Sequence, residues 1–281
     1  MDTFVFMLLI ACAALHATIN CSLKSVPDPL AAAIMLAIGA GVVATPVLLL
    51  TGAPLLPAAP YLAVSVIIHI FYWSFLGKSY ATGAVGVVFP LARGVAPVLT
   101  IAVAVLFFGE RLSYSQWVAI AAIMAGIYVV LASVNSVSSF RKDPMFGNVA
   151  VVALSIAGYT LVDGYGARHA GSALAYTAFL YVANGWVLLA YGLIHQRERL
   201  IAAIDRGWLL GLATGASSLV IYAAAVWAMT KAPIPLVATI RETTVLFTLI
   251  LATLWLKEPF RFARLLGGGI IIGGLAYVRM A

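Results

Sequence analysis

Long apolar stretches, separated by short polar or proline-rich breaks, follow one another along the whole chain. A helix needs about 20 mostly apolar residues to cross the hydrocarbon core of a bilayer. Ten stretches meet that requirement, at residues 3–22, 30–50, 60–80, 84–108, 114–133, 147–166, 173–194, 207–229, 233–256 and 262–280. The pattern therefore predicts an all-α membrane protein with ten transmembrane helices.

One stretch in each half carries an arginine deep inside an apolar run. Residues 84–110 read AVGVVFPLARGVAPVLTIAVAVLFFGE, and residues 232–258 read APIPLVATIRETTVLFTLILATLWLKE. A shift of 148 positions places Arg93 on Arg241 and Glu110 on Glu258. Charged residues make up only 9% of the chain, so general apolar similarity would not produce both coincidences. The two halves are therefore predicted to be repeats.

The first helix of each half supports the same division. A shift of 143 positions places His16 on Tyr159 and Asn20 on Asp163, and residues four apart share one face of a helix. Residues 1–135 are then the first repeat, 136–146 a linker and 147–281 the second repeat. Five helices are an odd number, so the second repeat enters the membrane with the opposite orientation. Many secondary transporters are built from such inverted repeats, with the substrate near the midplane where the repeats meet.

The composition agrees with a membrane protein and excludes several other classes. The chain is 64% hydrophobic with a mean hydropathy of +1.10, whereas about a quarter of the residues of a globular protein are charged. The net charge of +7 comes mostly from short loops beside apolar spans, which is typical of membrane topology rather than of nucleic-acid binding. Cys12 and Cys21 are nine positions apart on one predicted helix and therefore on opposite faces of it, so we expect neither a disulfide nor a metal site. We also expect no cofactor.

The segment PLARGVAPVLTIAVAVLFFGERLS (90–113) and its counterpart IRETTVLFTLILATLWLKEPF (240–260) together resemble the EamA-type repeat of the drug/metabolite transporter superfamily. In that repeat a proline-containing fourth helix ends in a Gly-Glu-Arg-Leu-Ser-like turn. The second copy departs from it, since Lys257 replaces the glycine and Pro259 the arginine. The resemblance implies a carrier of small metabolites or drugs that works by alternating access, with both termini cytoplasmic. It does not specify a substrate.

The distribution of lysine and arginine disagrees with cytoplasmic termini. Short loops rich in these residues tend to stay in the cytoplasm. The side that holds both termini would carry Arg111, Arg168, Lys231 and Arg279. The opposite side would carry ten basic residues: Lys24, Lys78, Arg141, Lys142, Arg197, Arg199, Arg206, Lys257, Arg261 and Arg264. Taken alone, this count predicts that both termini lie outside, so the orientation is open.

Arg93 and Arg241 are the first candidates for substrate binding. At 1.5 Å per residue, both lie roughly 12–14 Å deep in a hydrocarbon core about 30 Å thick. An ionised side chain at that depth is costly unless it is paired or faces water. The two guanidinium groups are therefore expected to face a wet cavity and to hold an anionic group of the substrate. The alternative is a fixed internal ion pair with Glu242 or Asp163.

Glu242 and Asp163 are the carboxylates inside the predicted spans. Burial raises the pKa of a carboxyl group and a nearby arginine lowers it, so such a residue can be tuned to exchange a proton between two states. Both are therefore candidates for substrate binding and for proton coupling. The alternative is that they merely neutralise the two arginines.

Further polar or kink-forming residues lie inside the spans. Asn20, His69 and Tyr72 are candidates for substrate contact, although such side chains also serve as hydrogen bonds between helices. Pro90 and Pro97 lie inside the fourth predicted helix, where an interior proline frees a carbonyl group and bends the helix. That helix is therefore the candidate gating element. The remaining polar or amphipathic candidates are His16, Trp73, Tyr159 and Tyr222.

The leading hypothesis is a secondary transporter for a small metabolite with an acidic group, such as an amino-acid-like zwitterion. A rival hypothesis is an exporter of organic cations held by Glu242 and Asp163. A rival of another class is a non-transporting membrane scaffold or receptor. No catalytic motif is evident, so we do not expect an enzyme. The expected setting is the plasma (inner) membrane, as a multi-pass monomer or homodimer, with lipid and a small solute as partners and a coupling proton as an open alternative.

Overall fold

The computed structural model describes residues 1–24, 29–52, 55–82, 85–132, 145–254 and 262–280. In chain order its helices are α1 (Thr3–Lys24), α2 (Pro29–Thr51), α3 (Ala59–Thr82), α4 (Val85–Phe107), α5 (Tyr114–Ala132), α6 (Met145–His169), α7 (Ala173–His195), α8 (Arg197–Met229), α9 (Ile234–Arg241), α10 (Thr244–Leu254) and α11 (Phe262–Met280). A short 3₁₀ turn, Leu56–Ala58, precedes α3.

The prediction of an all-α membrane protein is confirmed. Within the described residues, nine segments are long and apolar enough to cross a membrane, and α4 contributes a shorter apolar segment, Ala92–Phe107. The predicted linker lies mostly outside the described residues, as does Glu258. The division into two repeats therefore stays a prediction.

The ninth predicted span, 233–256, is not one continuous helix, and this corrects the sequence-based prediction. It breaks between α9 and α10 at Glu242 and Thr243. The backbone N–H groups of Glu242 and Thr243 donate to carbonyls three positions back, at 3.1 and 3.0 Å. The Thr243 and Thr244 hydroxyl groups also donate to carbonyls three positions back, each at 2.7 Å. Such local bonds compete with the α-helical ladder and tighten or bend it.

The charged segment 195–206 is likewise not an open loop. Most of it forms the beginning of α8, which continues to Met229 through a kink at Gly207, where φ is −148° and ψ is 20°. The sequence predicted a break there because its charges end the apolar pattern. The segment can nevertheless be helical, because charged residues such as arginine and glutamate are good helix formers.

The starts and ends of the helices alternate between the two sides of the bundle. Arg279 at the end of α11 donates to the hydroxyl group of Thr3 at the start of α1, at 2.8 Å. The C-terminal ends of α4, α6 and α8 meet on that same side, where Arg168 bridges α6 to the other two. We call this the terminal side.

Glycines allow the central helices to approach each other closely. A Cβ atom added to Gly39 of α2 would lie 2.2 Å from the carbonyl oxygen of Gly211 in α8. A Cβ atom on Gly41 would lie 3.0 Å from the Cα atom of Gly185 in α7. The helix backbones are therefore in direct contact at these points, which is typical of helices that pack in membranes.

The contacts between α5 and α11 are reciprocal. A Cβ atom on Gly126 would meet Gly267 and Ile271, and one on Gly274 would meet Ala119 and Ile123. The 148-residue shift that aligns the two arginines also converts each of these contacts into the other. A contact set that maps onto itself is what a two-fold relation between the halves produces.

Candidate central cavity

A small cavity lies between α4, α6 and the α9–α10 break. Its volume available to water is about 20 Å³, roughly the room that one water molecule needs. The space is therefore too small for a metabolite in this conformation. It is lined by Arg93, Ala96, Pro97, Thr100, Ile156, Tyr159, Thr160, Ala238, Arg241 and Glu242.

Arg93 is held by a carboxylate from the opposite half of the chain. Its Nε donates to Oε2 of Glu242 and its Nη2 to Oε1, both at 2.9 Å. Its Nη1 lies 3.3 Å from Nε2 of His16. Arginine has no acceptor atom, so His16 accepts through an unprotonated Nε2 and is neutral. The sequence-based alternative of an internal ion pair therefore describes Arg93 in this conformation.

Arg241 lines the same cavity in a different environment. Its guanidinium carbon lies 5.3 Å from the centre of the Tyr222 ring, within the range of a cation–π contact. Among the described residues, no carboxylate or hydrogen-bond acceptor pairs with this guanidinium group. The two arginines aligned by the repeat are thus brought to one cavity, and within the described part of the chain only Arg93 of the two has a counter-ion in contact.

Asp163 is fully buried on α6 and is not paired with either arginine. The hydroxyl group of Tyr176 on α7 donates to Oδ1 at 3.0 Å. The hydroxyl group of Tyr222 on α8 donates to Oδ2, and the hydroxyl group of Ser65 on α3 is a further hydrogen-bond partner. The carboxylate therefore connects three helices through hydroxyl donors. Tyr222 links it to Arg241, because the ring contacts the cation and the hydroxyl group contacts the anion.

An aromatic cluster packs beside the cavity. Tyr159 lines the cavity, and the His69 ring stacks on it at 4.4 Å between centres. Tyr72 contacts Tyr159 edge-on at 5.8 Å. The Nδ1 atom of His69 lies 2.9 Å from the backbone oxygen of Ser65, so Nδ1 carries a proton. His69 and Tyr72 therefore lie behind Tyr159 and do not line the cavity itself.

The other candidates from the sequence occupy different positions. Asn20 is half-buried on α1, one turn beyond His16. Pro97 is buried in α4 and lines the cavity. Pro90 lies in α4, but its side chain is outside the described part of the structure. α4 runs through both prolines as one helix, whereas the break beside the cavity lies between α9 and α10. Gating by α4 stays a prediction.

Sequence analysis missed several residues of this region. Tyr176, whose hydroxyl group contacts Asp163, lies near the start of α7 and gave no signal beyond being a tyrosine in an apolar span. Ser65, Thr100 and Thr160 are small polar residues, and the hydroxyl groups of such residues often form hydrogen bonds within their own helix. Their presence in a span therefore did not indicate a site. The polar run TIRETT (239–244) could have indicated the helix break, because threonine hydroxyl groups bond to nearby carbonyls.

A second charged cluster lies on the terminal side. Arg168 donates from Nη1 to Oε1 of Glu110 at 2.6 Å and from Nε to the carbonyl oxygen of Met229 at 3.0 Å. Tyr165 also donates to Oε1 of Glu110, at 3.2 Å. The cluster ties the end of α4 to the ends of α6 and α8.

Comparisons with known proteins agree with the fold and with the motif resemblance. Residues 146–280 match the EamA-like transporter family. A solved structure titled "Crystal structure of protein" superposes with a TM-score of 0.71 over 99% of this chain and 97% of that chain. At 17% sequence identity, this likeness concerns the fold alone. No curated protein sequence matches the chain. Residues 146–280 therefore belong to the EamA-like transporter family of the drug/metabolite transporter superfamily.

Proposed function

We propose that this chain is a secondary transporter that moves a small metabolite with an acidic group, and that Arg241 binds that group in the central cavity. The two halves act as inverted repeats that open the cavity to one side of the membrane and then to the other. An amino-acid-like zwitterion fits this proposal as well as a simple acid does, because both carry a carboxylate.

The unpaired guanidinium group of Arg241 carries the proposal. A cation in a low-dielectric site is costly without a partner, and a bound anion removes that cost. Arginine is also well suited to bind a carboxylate through two parallel hydrogen bonds. In the described residues the Arg241 side chain contacts an aromatic face instead, so its donors are available to a solute.

The state of the other charges favours an acidic solute over an organic cation. Glu242 already accepts two hydrogen bonds from Arg93. Asp163 already accepts hydroxyl donors on both of its oxygen atoms. A cationic solute would have to displace these partners, whereas an anionic solute finds an open donor. The rival hypothesis of a scaffold or receptor does not explain why an unpaired cation lies at this depth.

The small cavity volume supports a closed state between two open ones. A site with room for about one water molecule has to widen before a metabolite enters. The reciprocal contacts of α5 and α11 support a two-fold relation between the halves, which rock about this contact. Transporters built from inverted repeats use this type of motion.

The proposal is tested by thermal stabilisation of purified protein with a panel of small solutes. The panel contains lactate and succinate as acids, alanine and glutamine as zwitterions, and choline and tetraethylammonium as cations. We expect stabilisation by at least one carboxylate-bearing solute and by neither cation. Ligand binding raises stability by about 2.7 kcal/mol at a hundredfold excess over Kd.

Two arginine variants, one inside the cavity and one outside it, make the test specific. Arg241→Ala is expected to abolish the stabilisation by carboxylates, whereas Arg111→Ala, at an exposed position in the α4–α5 turn, leaves it unchanged. Transport of the stabilising solute into proteoliposomes should follow the same pattern. Stabilisation by the cations alone would favour the exporter hypothesis. Stabilisation by carboxylates that survives in Arg241→Ala would show that the anion binds elsewhere.

A further inference from the structure

We propose that Asp163 is the proton-coupling residue, and that it takes up a proton when an acidic solute binds at Arg241, so that anion and proton cross the membrane together. The inference rests on the proposed function and adds the coupling ion to it. It also selects between the two carboxylates that lie close to the cavity.

Four charged side chains meet in the centre of the bundle. Arg93 and Glu242 neutralise each other in a two-fold hydrogen-bonded pair. Arg241 and Asp163 are not in contact with each other, and Tyr222 contacts both, the cation through its ring and the carboxylate through its hydroxyl group. The four charges sum to zero. The resting state is therefore electrically balanced without a solute.

An arriving anion disturbs this balance. When its carboxylate binds Arg241, the centre carries one negative charge in excess. Like charges in a low-dielectric site repel strongly, so the energy of the site falls when one carboxylate becomes neutral. By linkage, a solute that favours proton uptake is itself bound more tightly when the proton is present. Coupling between anion and proton follows from charge balance alone.

Asp163 can accept this proton at lower cost than Glu242. Protonation of Glu242 would leave Arg93 as a buried cation with a weakened partner, which is costly. Protonation of Asp163 breaks no ion pair among the described residues. Its partners Tyr176 and Tyr222 are hydroxyl groups, and a hydroxyl group both donates and accepts. One of them can rotate to accept the new O–H of the carboxyl group.

The surroundings of Asp163 contain one side chain that could pass the proton on. His69 on α3 is partly exposed and lies 3.2 Å from the Ser65 hydroxyl group, which is a hydrogen-bond partner of Asp163. In the transfer, the Nδ1–H bond of protonated His69 breaks as the Ser65 oxygen takes that proton, and the Ser65 O–H bond breaks as an O–H bond to Asp163 forms, which leaves His69 neutral and Ser65 unchanged. The reverse sequence releases the proton on the other side. Among the described residues, the titratable groups that interact with Asp163 from the packed helices are His69 on α3, Tyr159 on α6, Tyr176 and Tyr181 on α7 and Tyr222 on α8. Arg241 on α9 contacts the far part of this group, the Tyr222 ring.

The charge coupling can be tested without any solute. Arg241→Gln removes the cation that balances Asp163 and so imitates its neutralisation by a bound anion. Infrared spectroscopy detects the C=O stretch of a protonated carboxyl group. We expect this band to appear at pH 7 in Arg241→Gln, with the protonated fraction at least tenfold higher than in the unmodified protein. Labelling with ¹³C-aspartate should shift the band, which assigns it to aspartate even if Asp163→Asn does not fold.

Arg93→Gln is the matched control. It removes the other cation and frees Glu242, so any new carboxyl band should shift with ¹³C-glutamate and not with ¹³C-aspartate. A band in Arg241→Gln that follows the glutamate label would assign the proton to Glu242 and overturn the proposal. The absence of any band in Arg241→Gln at pH 7 would overturn it as well. These results do not depend on solute binding, so they are separate from failure of the proposed function.

Discussion

The ion pair between Arg93 and Glu242 offers a direct test of how the two halves hold each other. Both side chains are largely buried, with 11% and 7% of their surfaces exposed, and two hydrogen bonds of 2.9 Å join them. Glu242→Gln keeps the shape of the side chain and removes its charge. Arg93 then remains as a buried cation whose partner is a neutral amide.

The expected loss of stability is several kcal/mol. Two unit charges about 4 Å apart at an effective dielectric constant of 20 attract by about 4 kcal/mol. Removal of one member of a buried pair typically costs about 3–5 kcal/mol, because the other charge stays buried and unpaired. We therefore expect Glu242→Gln and Arg93→Gln each to lower the free energy of unfolding by about 3–5 kcal/mol. The melting temperature should fall on the order of 10 °C.

The double variant separates pairing from general damage. Arg93→Gln with Glu242→Gln leaves two neutral amides, so its loss should be several kcal/mol smaller than the sum of the two single losses. The assay can use a thiol-reactive dye, because the chain has two cysteines, Cys12 and Cys21, and both are buried and free. They react when the helices separate.

Two outcomes would refute this account. Strictly additive losses in the double variant would show that the two side chains are not coupled in the folded protein. A melting temperature of Glu242→Gln equal to that of the unmodified protein would show that Arg93 has another adequate partner. Arg111→Ala serves as the control for loss of an exposed charge and should change stability by less than about 0.5 kcal/mol.

Three further substitutions test the packing and the terminal side by the same assay. In Gly215→Ala the new Cβ atom would lie 2.3 Å from the backbone nitrogen of Ala40, so we expect a loss of about 1–3 kcal/mol from overpacking; no loss would mean that α2 and α8 are not in backbone contact. In Gly273→Ala, where nothing lies within 4 Å, alanine should instead stabilise the helix by up to about 1 kcal/mol, and a clear loss would contradict the packing of α11. In Glu110→Gln the hydrogen bond from Arg168 loses its charged acceptor, so the free energy of unfolding should fall by about 1–2 kcal/mol. An unchanged melting temperature would show that this contact does not hold α4 to α6.

The sequence was sufficient to predict the all-α membrane class, most helix bounds and the family resemblance. Hydropathy is a local sum over about 20 residues, and crossing a membrane requires little more than that sum. The arginine in each half was also visible from sequence, since a charge in an apolar run stands out. The break at Glu242 and the helical character of 197–206 were not predicted, because both depend on local hydrogen bonds that compete with the apolar pattern.

What the tertiary structure decided is which charge has a partner. Arg93 and Glu242 are 149 positions apart, and Glu242 is the neighbour of Arg241 in sequence, so spacing alone could not assign it to the distant arginine. Only the packing of α4 against the α9–α10 break directs the carboxylate to Arg93 and leaves Arg241 on the ring of Tyr222. The sequence determined that two cations lie inside the membrane, and the folded geometry decided that, among the described residues, Arg93 has a carboxylate in contact and Arg241 has an aromatic ring instead.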